Sequence, residues 1–169
     1  MKRFLCLAVS LLLPIILTGC DFFEVKDTST EPPQMAVITE SGRFRAQRFG
    51  YKWETSAGGC VADSVDPRTF AYDPIPVKEG ELLQFVFEEG KEASVFTIWF
   101  YPEGSEEGKT VDYERNYQGI DPRFAEGSRA LFAASENGVY VVEAVWPSWV
   151  RDGINGEAEY GFAVSVDAP

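Results

Sequence analysis

The most constraining feature of the sequence is a strict two-residue alternation near its end, over residues 157–166. Large apolar side chains recur there at every second position, and they are Tyr160, Phe162, Val164 and Val166. Small or polar residues occupy the positions between them. Because successive side chains of a β-strand point to opposite faces, this pattern predicts a strand with one buried face.

Similar short runs recur along the chain, and those at residues 81–88 and 94–101 are β-branched and aromatic and are bounded by glycine or proline. They cover residues 43–54, 81–88, 94–101, 110–113, 128–134 and 139–146. No long stretch has the apolar spacing of a helix, and residues 121–126 provide at most one short turn. About seven strands joined by turns predict an all-β fold, an immunoglobulin-like antiparallel β-sandwich.

A local pattern around Tyr140 refines this prediction. Residues 136–142 have the spacing of the tyrosine corner of immunoglobulin domains, in which the hydroxyl bonds back to backbone where strand F begins. Val142 stands where antibody domains have a cysteine, and Trp99 or Ile98 would be the core residue of strand C. The alternative is an ordinary strand that begins with Gly-x-Tyr.

The N-terminal segment differs in composition from the rest of the chain. Lys2 and Arg3 precede an apolar run at residues 4–17, which is shorter than the about twenty residues that a spanning helix needs. The run ends in Leu-Thr-Gly-Cys at residues 17–20. This order resembles the lipobox of bacterial lipoprotein signal peptides, which implies cleavage before Cys20 and acylation of that residue.

The lipobox resemblance divides the chain into three parts. Residues 1–19 are the expected lipoprotein signal peptide, residues 20–40 the lipidated cysteine and a flexible tether, and residues 41–169 the sandwich domain. Polar and proline residues at 28–33 favour a tether because they show no periodicity. The alternative is that residues 35–38 pair as an edge strand. The implied location is the extracytoplasmic side of the cell membrane, with the protein held there by lipid.

The charge of the chain limits its partners. The formal net charge of −12 becomes −14 once Lys2 and Arg3 are removed. Such a surface repels nucleic acid and anionic lipid, so neither is an expected partner. It keeps a protein soluble, and it also attracts cations or a basic partner. Apart from the membrane reached through the lipid, the expected partner is an envelope protein or a glycan, and the oligomeric state stays open.

The cysteine and histidine content excludes most catalytic chemistry. Cys6 and Cys20 belong to the expected signal peptide and lipidation site, so Cys60 has no internal disulfide partner. Cys60 is then a buried apolar residue, an exposed thiol or an intermolecular bridge. The chain has no histidine, which excludes His-based triads, His-ligated zinc and activation of a thiol by histidine. No glycine-rich phosphate loop is present, and we expect neither enzymatic activity nor a cofactor.

Several aromatic positions form a further pattern. Tyr-Lys-Trp stands at residues 51–53, an Asp- and Pro-containing segment at 63–67, and aromatic runs at 138–146 and 158–162. In these positions the domain resembles a group of small, uncharacterised lipoproteins of Gram-positive bacteria. The connection at residues 147–156 is longer than the short turn usual in that group. The resemblance implies the fold and the location, and it implies no activity.

The connection at residues 147–156 is the first candidate binding site. Its candidate binding side chains are Trp149, Arg151, Asp152 and Asn155. The loop lies at one end of the predicted sandwich, where loops on a rigid frame commonly bind ligands. An exposed tryptophan beside polar groups suits a glycan or a peptide. The alternative is that Trp149 folds back over the edge of the core.

Two other segments are further candidates. Asp63, Asp66 and Asp73 lie among prolines and offer carboxylate oxygens to a cation such as calcium, although no D-x-D-x-D-G loop is present. Asp-Pro pairs are also common turn formers. Residues 102–126 form either a solvated connection or an inserted binding face.

The sequence therefore predicts a non-enzymatic binding or accessory module. The alternatives are a small glycan- or cation-binding lipoprotein and a carboxylate-based hydrolase. A protein partner requires an exposed apolar patch on a sheet face. A glycan site requires Trp149 or Trp53 exposed in a groove. A hydrolase requires two carboxylates about 5–10 Å apart in a cleft.

Overall fold

The structure, a computed structural model, describes residues 29–88, 93–116, 129–147 and 154–167. The expected signal peptide and Cys20 lie outside these ranges. No helix within the described ranges is long and apolar enough to cross a membrane.

Nearly all regular structure in the described residues is β-strand. The strands are β1 (Met35–Thr39), β2 (Gly42–Arg45), β3 (Gln47–Thr55), β4 (Gly58–Ala62), β5 (Ile75–Lys78), β6 (Leu82–Phe87), β7 (Val95–Pro102), β8 (Lys109–Thr110), β9 (Glu114–Asn116), β10 (Arg129–Ala133), β11 (Gly138–Trp146) and β12 (Ile154–Asp167). A short 3-10 helix, Pro67–Thr69, lies between β4 and β5. This content confirms the predicted all-β fold.

The strands form two sheets. The smaller sheet has the order β2-β1-β6-β10-β9 and the larger one β4-β3-β12-β11-β7-β8, with β5 added parallel to the end of β12. The series β1-β6-β10-β9 and β12-β11-β7 correspond to the A-B-E-D and G-F-C strands of the immunoglobulin sandwich. Strands β2, β3 and β4 are additions between the first strand and β5, and they widen both sheets.

Aromatic side chains from both sheets fill the space between them. The ring of Phe85 on β6 packs edge-on against Phe96 on β7, with centroids 4.9 Å apart. Phe87 packs in the same way against Trp146 on β11, at 5.2 Å. Tyr160 of β12 is fully buried beside Phe87, as the alternation in the sequence predicts. Edge-to-face pairs of this kind stabilise a core beyond the area that they bury.

Strand β1 corrects the predicted boundary between tether and domain. It lies between β2 and β6, so it is neither part of a tether nor an edge strand. Met35, Ala36 and Val37 are all buried. Because three consecutive residues are buried, the strand has no two-residue alternation, and the usual sequence signal is missing. The sandwich therefore includes residues 35–39.

Tyr140 lies near the start of β11, with its ring among three phenylalanines, Phe100, Phe132 and Phe162. Burial raises the pKa of its hydroxyl to about 12. A second tyrosine, Tyr160, connects to distant backbone, because its hydroxyl donates to the carbonyl of Pro33 at 2.6 Å. No hydrogen bond of the Tyr140 hydroxyl to the described residues is seen, so the tyrosine corner stays a prediction.

On β7 the core residue is Ile98 rather than Trp99. Ile98 is buried and stands opposite Val142 of β11. Trp99 points to the other face of the sheet because neighbouring strand residues alternate. It is half-buried there, and its indole nitrogen has no hydrogen-bond partner among the described residues.

Candidate functional site

The outer face of the larger sheet is crossed by a segment that we call the strap, residues 63–74, which connects β4 to β5. Two glycines allow it to lie close to the strands. A Cβ on Gly50 would stand 2.8 Å from the Cα of Ser64. A Cβ on Gly161 would overlap the hydroxyl of Tyr72. Glycine inside a strand often marks such a close approach.

A β-bulge supplies the apolar surface on which the strap rests. The register between β12 and β3 shifts at Tyr160, so that Phe49 has no direct partner on β12. The bulge turns Phe49 to the outer face, where its ring lies 5.7 Å from that of Phe70. Phe70 in turn lies 6.1 Å from Tyr72. Burial raises the pKa of Tyr72 to about 12, and its hydroxyl has no hydrogen-bond partner in the described residues.

Asp66 and Arg68 fix the middle of the strap. The Asp66 carboxylate accepts hydrogen bonds from the backbone and guanidinium nitrogens of Arg68, and these bonds lower its pKa to about 2. The Arg68 guanidinium also donates to the carbonyl of Glu106 at 3.0 Å and lies 5.8 Å from the ring centre of Tyr101. Asp66 therefore caps the short 3-10 helix and binds an arginine.

On one side of the strap the sheet forms an open groove of about 390 Å³. We call it the valine–glutamate groove, and its outward-pointing residues are Val61, Lys52, Glu157, Val145, Glu159 and Glu143. Register pairs place Val61 beside Lys52, Lys52 beside Glu157, and Glu157 beside Val145. One row of side chains thus crosses four strands.

Two carboxylates face each other in the next row of the groove. Glu143 of β11 stands directly opposite Glu159 of β12. Directly opposed residues have Cβ atoms about 5 Å apart, and like charges at that spacing destabilise a sheet. Glu159 accepts a hydrogen bond from the hydroxyl of Ser64. The nearby cation Lys52 is 3.7 Å from Glu54, and no described cation pairs with Glu143 or Glu159.

A second depression, of about 440 Å³, lies on the other side of the strap. Arg68, Tyr101 and Asn137 line it together with residues of β11 and β12. Both depressions are open to solvent along the sheet. Their shape suits an extended chain or a flat partner better than an enclosed small molecule.

The structure describes only part of the predicted loop site. Trp149, Arg151 and Asp152 lie outside the described residues. Asn155 is exposed at the start of β12, and its amide donates to the carboxylate of Glu54 at 3.2 Å. Trp53 is fully buried against Trp146, so it offers no platform for a glycan.

The structure describes Asp66 of the predicted cation site and the single thiol Cys60. Asp66 is bound to Arg68, and no group of three or more metal-binding side chains is found among the described residues. Cys60 is an exposed free cysteine on the edge strand β4, with its sulfur 3.7 Å from the hydroxyl of Tyr51. Of the three alternatives for Cys60, the buried one is therefore wrong.

Sequence reasoning missed the groove and the strap. The signals available were Gly50 and Gly161, two glycines inside runs that otherwise read as strands. Comparison with protein-family models, curated proteins and solved structures finds no match to this chain. The geometry of the described residues therefore provides the argument for function.

Proposed function

We propose that this chain is a lipid-anchored, extracytoplasmic binding module of the bacterial cell envelope and not an enzyme. The observation that carries the binding role is the open valine–glutamate groove on the outer face of the larger sheet. The Leu-Thr-Gly-Cys segment at residues 17–20 supports the anchor, with Cys20 as the acylated residue. A cleaved and acylated chain is attached to the outer surface of the cytoplasmic membrane.

The anchor needs no spanning helix. Two long acyl chains contribute roughly 20 kcal/mol of gross burial, at about 0.8 kcal/mol per methylene. The cleaved chain, whose net charge is −14 once Lys2 and Arg3 are removed, is repelled by anionic headgroups, so the lipid alone provides the attachment. The sandwich then stands in the solvent, where its outer faces are accessible to other envelope components.

The geometry gives less support to a carboxylate-based hydrolase. Glu143 and Glu159 are close enough to act as a pair, but they lie on an open sheet face. Hydrolases of this class enclose the scissile bond between an acid and a nucleophile or base, and water is excluded from the rest of the site. A glycan-binding role would depend on Trp149, since Trp53 is buried.

Replacing Cys20 with Ser tests the anchor. In a bacterium that processes lipoproteins, the Cys20→Ser chain should move from the membrane fraction to the soluble fraction, because serine cannot carry the acyl chain of the lipobox cysteine. Cys60→Ser is the matched control and should stay with the membrane. Membrane association of Cys20→Ser equal to that of the unchanged protein would contradict the proposal.

A further inference from the structure

We propose that the valine–glutamate groove docks an extended segment of a partner protein in which an aliphatic residue and a lysine or arginine stand two positions apart, so that both side chains point to the groove. This inference rests on the proposed binding role and names the surface and the partner chemistry. An extended segment has side chains spaced to match the rows of a sheet. Each row of the groove offers a different chemistry to it.

The first row is apolar at its ends and exposed. Val61 is 67% exposed, Val145 is 36% exposed, and Val95 on the neighbouring strand β7 is 51% exposed. Val145 and Val95 are direct register partners, and Val61 begins the same row at the sheet edge. Aliphatic residues of a docked segment would cover these valines and remove their surface from water.

The second row is anionic and without a counter-charge among the described residues. Glu143 and Glu159 oppose each other directly, and Glu157 lies in the adjacent row of the same strand. A cation placed between Glu143 and Glu159 would convert their repulsion into two attractive contacts. Charge complementarity therefore specifies a lysine or arginine at this position of the partner.

The same features argue against other occupants. Anionic lipid and a second copy of this acidic chain both bring negative charge to the groove. A glycan would need a free aromatic face, whereas the ring of Tyr51 is already covered by the Arg48 guanidinium 4.9 Å away. A free metal ion would leave the valines exposed.

Two synthetic peptides test the proposal on the full chain. One repeats Val-Ser-Lys-Ser, which places valine and lysine on the same face of an extended chain, and the other has the same length and repeats Val-Ser-Glu-Ser. Fluorescence anisotropy should show binding of the lysine peptide alone. The double variant E143Q/E159Q should weaken this binding at least tenfold, because it removes the anionic row and keeps the side-chain shape. The charge-matched control E79Q/E107Q alters two exposed glutamates outside the groove and should change the affinity less than twofold.

Equal effects of E143Q/E159Q and E79Q/E107Q would overturn the proposal, because the attraction would then be one of net charge. Tighter binding of anionic phosphatidylglycerol vesicles or of a chitin oligosaccharide than of the lysine peptide would also overturn it. A substitution Val61→Ser gives an independent check, since it should weaken the lysine peptide severalfold without changing charge.

A photo-cross-linking residue in cells separates this inference from the broader proposal. Placed at Val61, it should capture a partner protein, and E143Q/E159Q should abolish the capture. Leu82, which is 60% exposed on the smaller sheet, is the matched control position. Capture from Leu82 alone would overturn the proposed docking in the groove. A binding role of the smaller sheet would then remain. No capture from either position would contradict the binding role itself.

Discussion

Tyr160 shows how one side chain connects the sandwich to the chain that precedes it. Its ring is buried beside Phe87, and its hydroxyl donates to the carbonyl of Pro33, 127 residues earlier. Arg48 adds bonds from the same strand pair to the carbonyl of Pro32, at 2.5 Å, and to Glu31. These contacts fix the entry to β1, and they explain why the ordered domain begins before the predicted boundary.

Replacing Tyr160 with Phe should lower the free energy of unfolding by about 1–2 kcal/mol, because the buried Pro33 carbonyl loses its donor. Tyr140→Phe is the matched control, since its hydroxyl has no described bond of this kind, and its effect should be smaller. Urea denaturation of both variants measures the difference. A larger loss for Tyr140→Phe would show that the hydroxyl of Tyr140 is the important one.

Glu81 gives the fold a dependence on acid. Its carboxylate accepts hydrogen bonds from the backbone nitrogens of Lys78 at 3.0 Å and Glu40 at 2.6 Å. These bonds hold the pKa of Glu81 below its usual value. A carboxyl whose folded pKa is lowered stabilises the fold above its unfolded pKa, and this stabilisation is lost as the pH falls through the folded value.

The difference in unfolding free energy between the unchanged chain and Glu81→Gln should therefore be constant above about pH 4.5 and shrink below it. Thermal or urea denaturation from pH 7 to pH 2.5 measures this difference. Glu79→Gln removes the carboxylate of an exposed neighbouring residue and is the matched control. A gap for Glu81→Gln that persists undiminished to pH 2.5 would show that the charge of Glu81 contributes nothing.

At the scale of elements, the strands are specified by local sequence patterns, whereas the strap is positioned by contacts between residues far apart in the chain. The strands follow alternation of apolar residues, so β6, β7, β11 and β12 are evident from the sequence. The strap is held by a bulge, two glycines and one arginine. Its contacts are between residues far apart in the chain, such as Tyr72 and Gly161, and no local pattern encodes them. Strand β5 was not predicted from the sequence because it contains Pro76, and proline within a run argues against a strand.

Gly161→Ala should loosen the strap and leave the sandwich folded. The new Cβ would overlap the Tyr72 hydroxyl and stand 2.6 Å from the ring of Phe49, and the strap can move away. Hydrogen exchange of residues 64–72 should accelerate while that of β11 stays slow.

Gly156→Ala is the contrasting variant, because its Cβ would overlap the buried ring of Trp53. Overpacking of the core there should lower the free energy of unfolding by about 1–3 kcal/mol. Equal hydrogen-exchange rates of residues 64–72 in Gly161→Ala and Gly156→Ala would contradict the view that the strap can move independently of the core.

At the scale of the whole molecule, an acidic sandwich has an outer sheet face that the strap crosses and that is open in a depression on either side of the strap. The architecture was predictable because hydrophobic periodicity alone specifies two layers of strands. The candidate site was not, because it depends on which strands become neighbours. Glu143 and Glu159 are 16 residues apart in sequence and meet only through the pairing of β11 with β12. The predicted loop residue Asn155 lies at the start of β12, two residues before Glu157 of the groove.

The attachment of this sandwich to a membrane through Cys20 is the central claim for its biological role. Mass spectrometry of the protein recovered from the membrane fraction tests it most directly. The account predicts an N-terminal residue Cys20 that carries acyl chains, with residues 1–19 removed. An unmodified chain that still begins at Met1 and is recovered from the cytosol would contradict it.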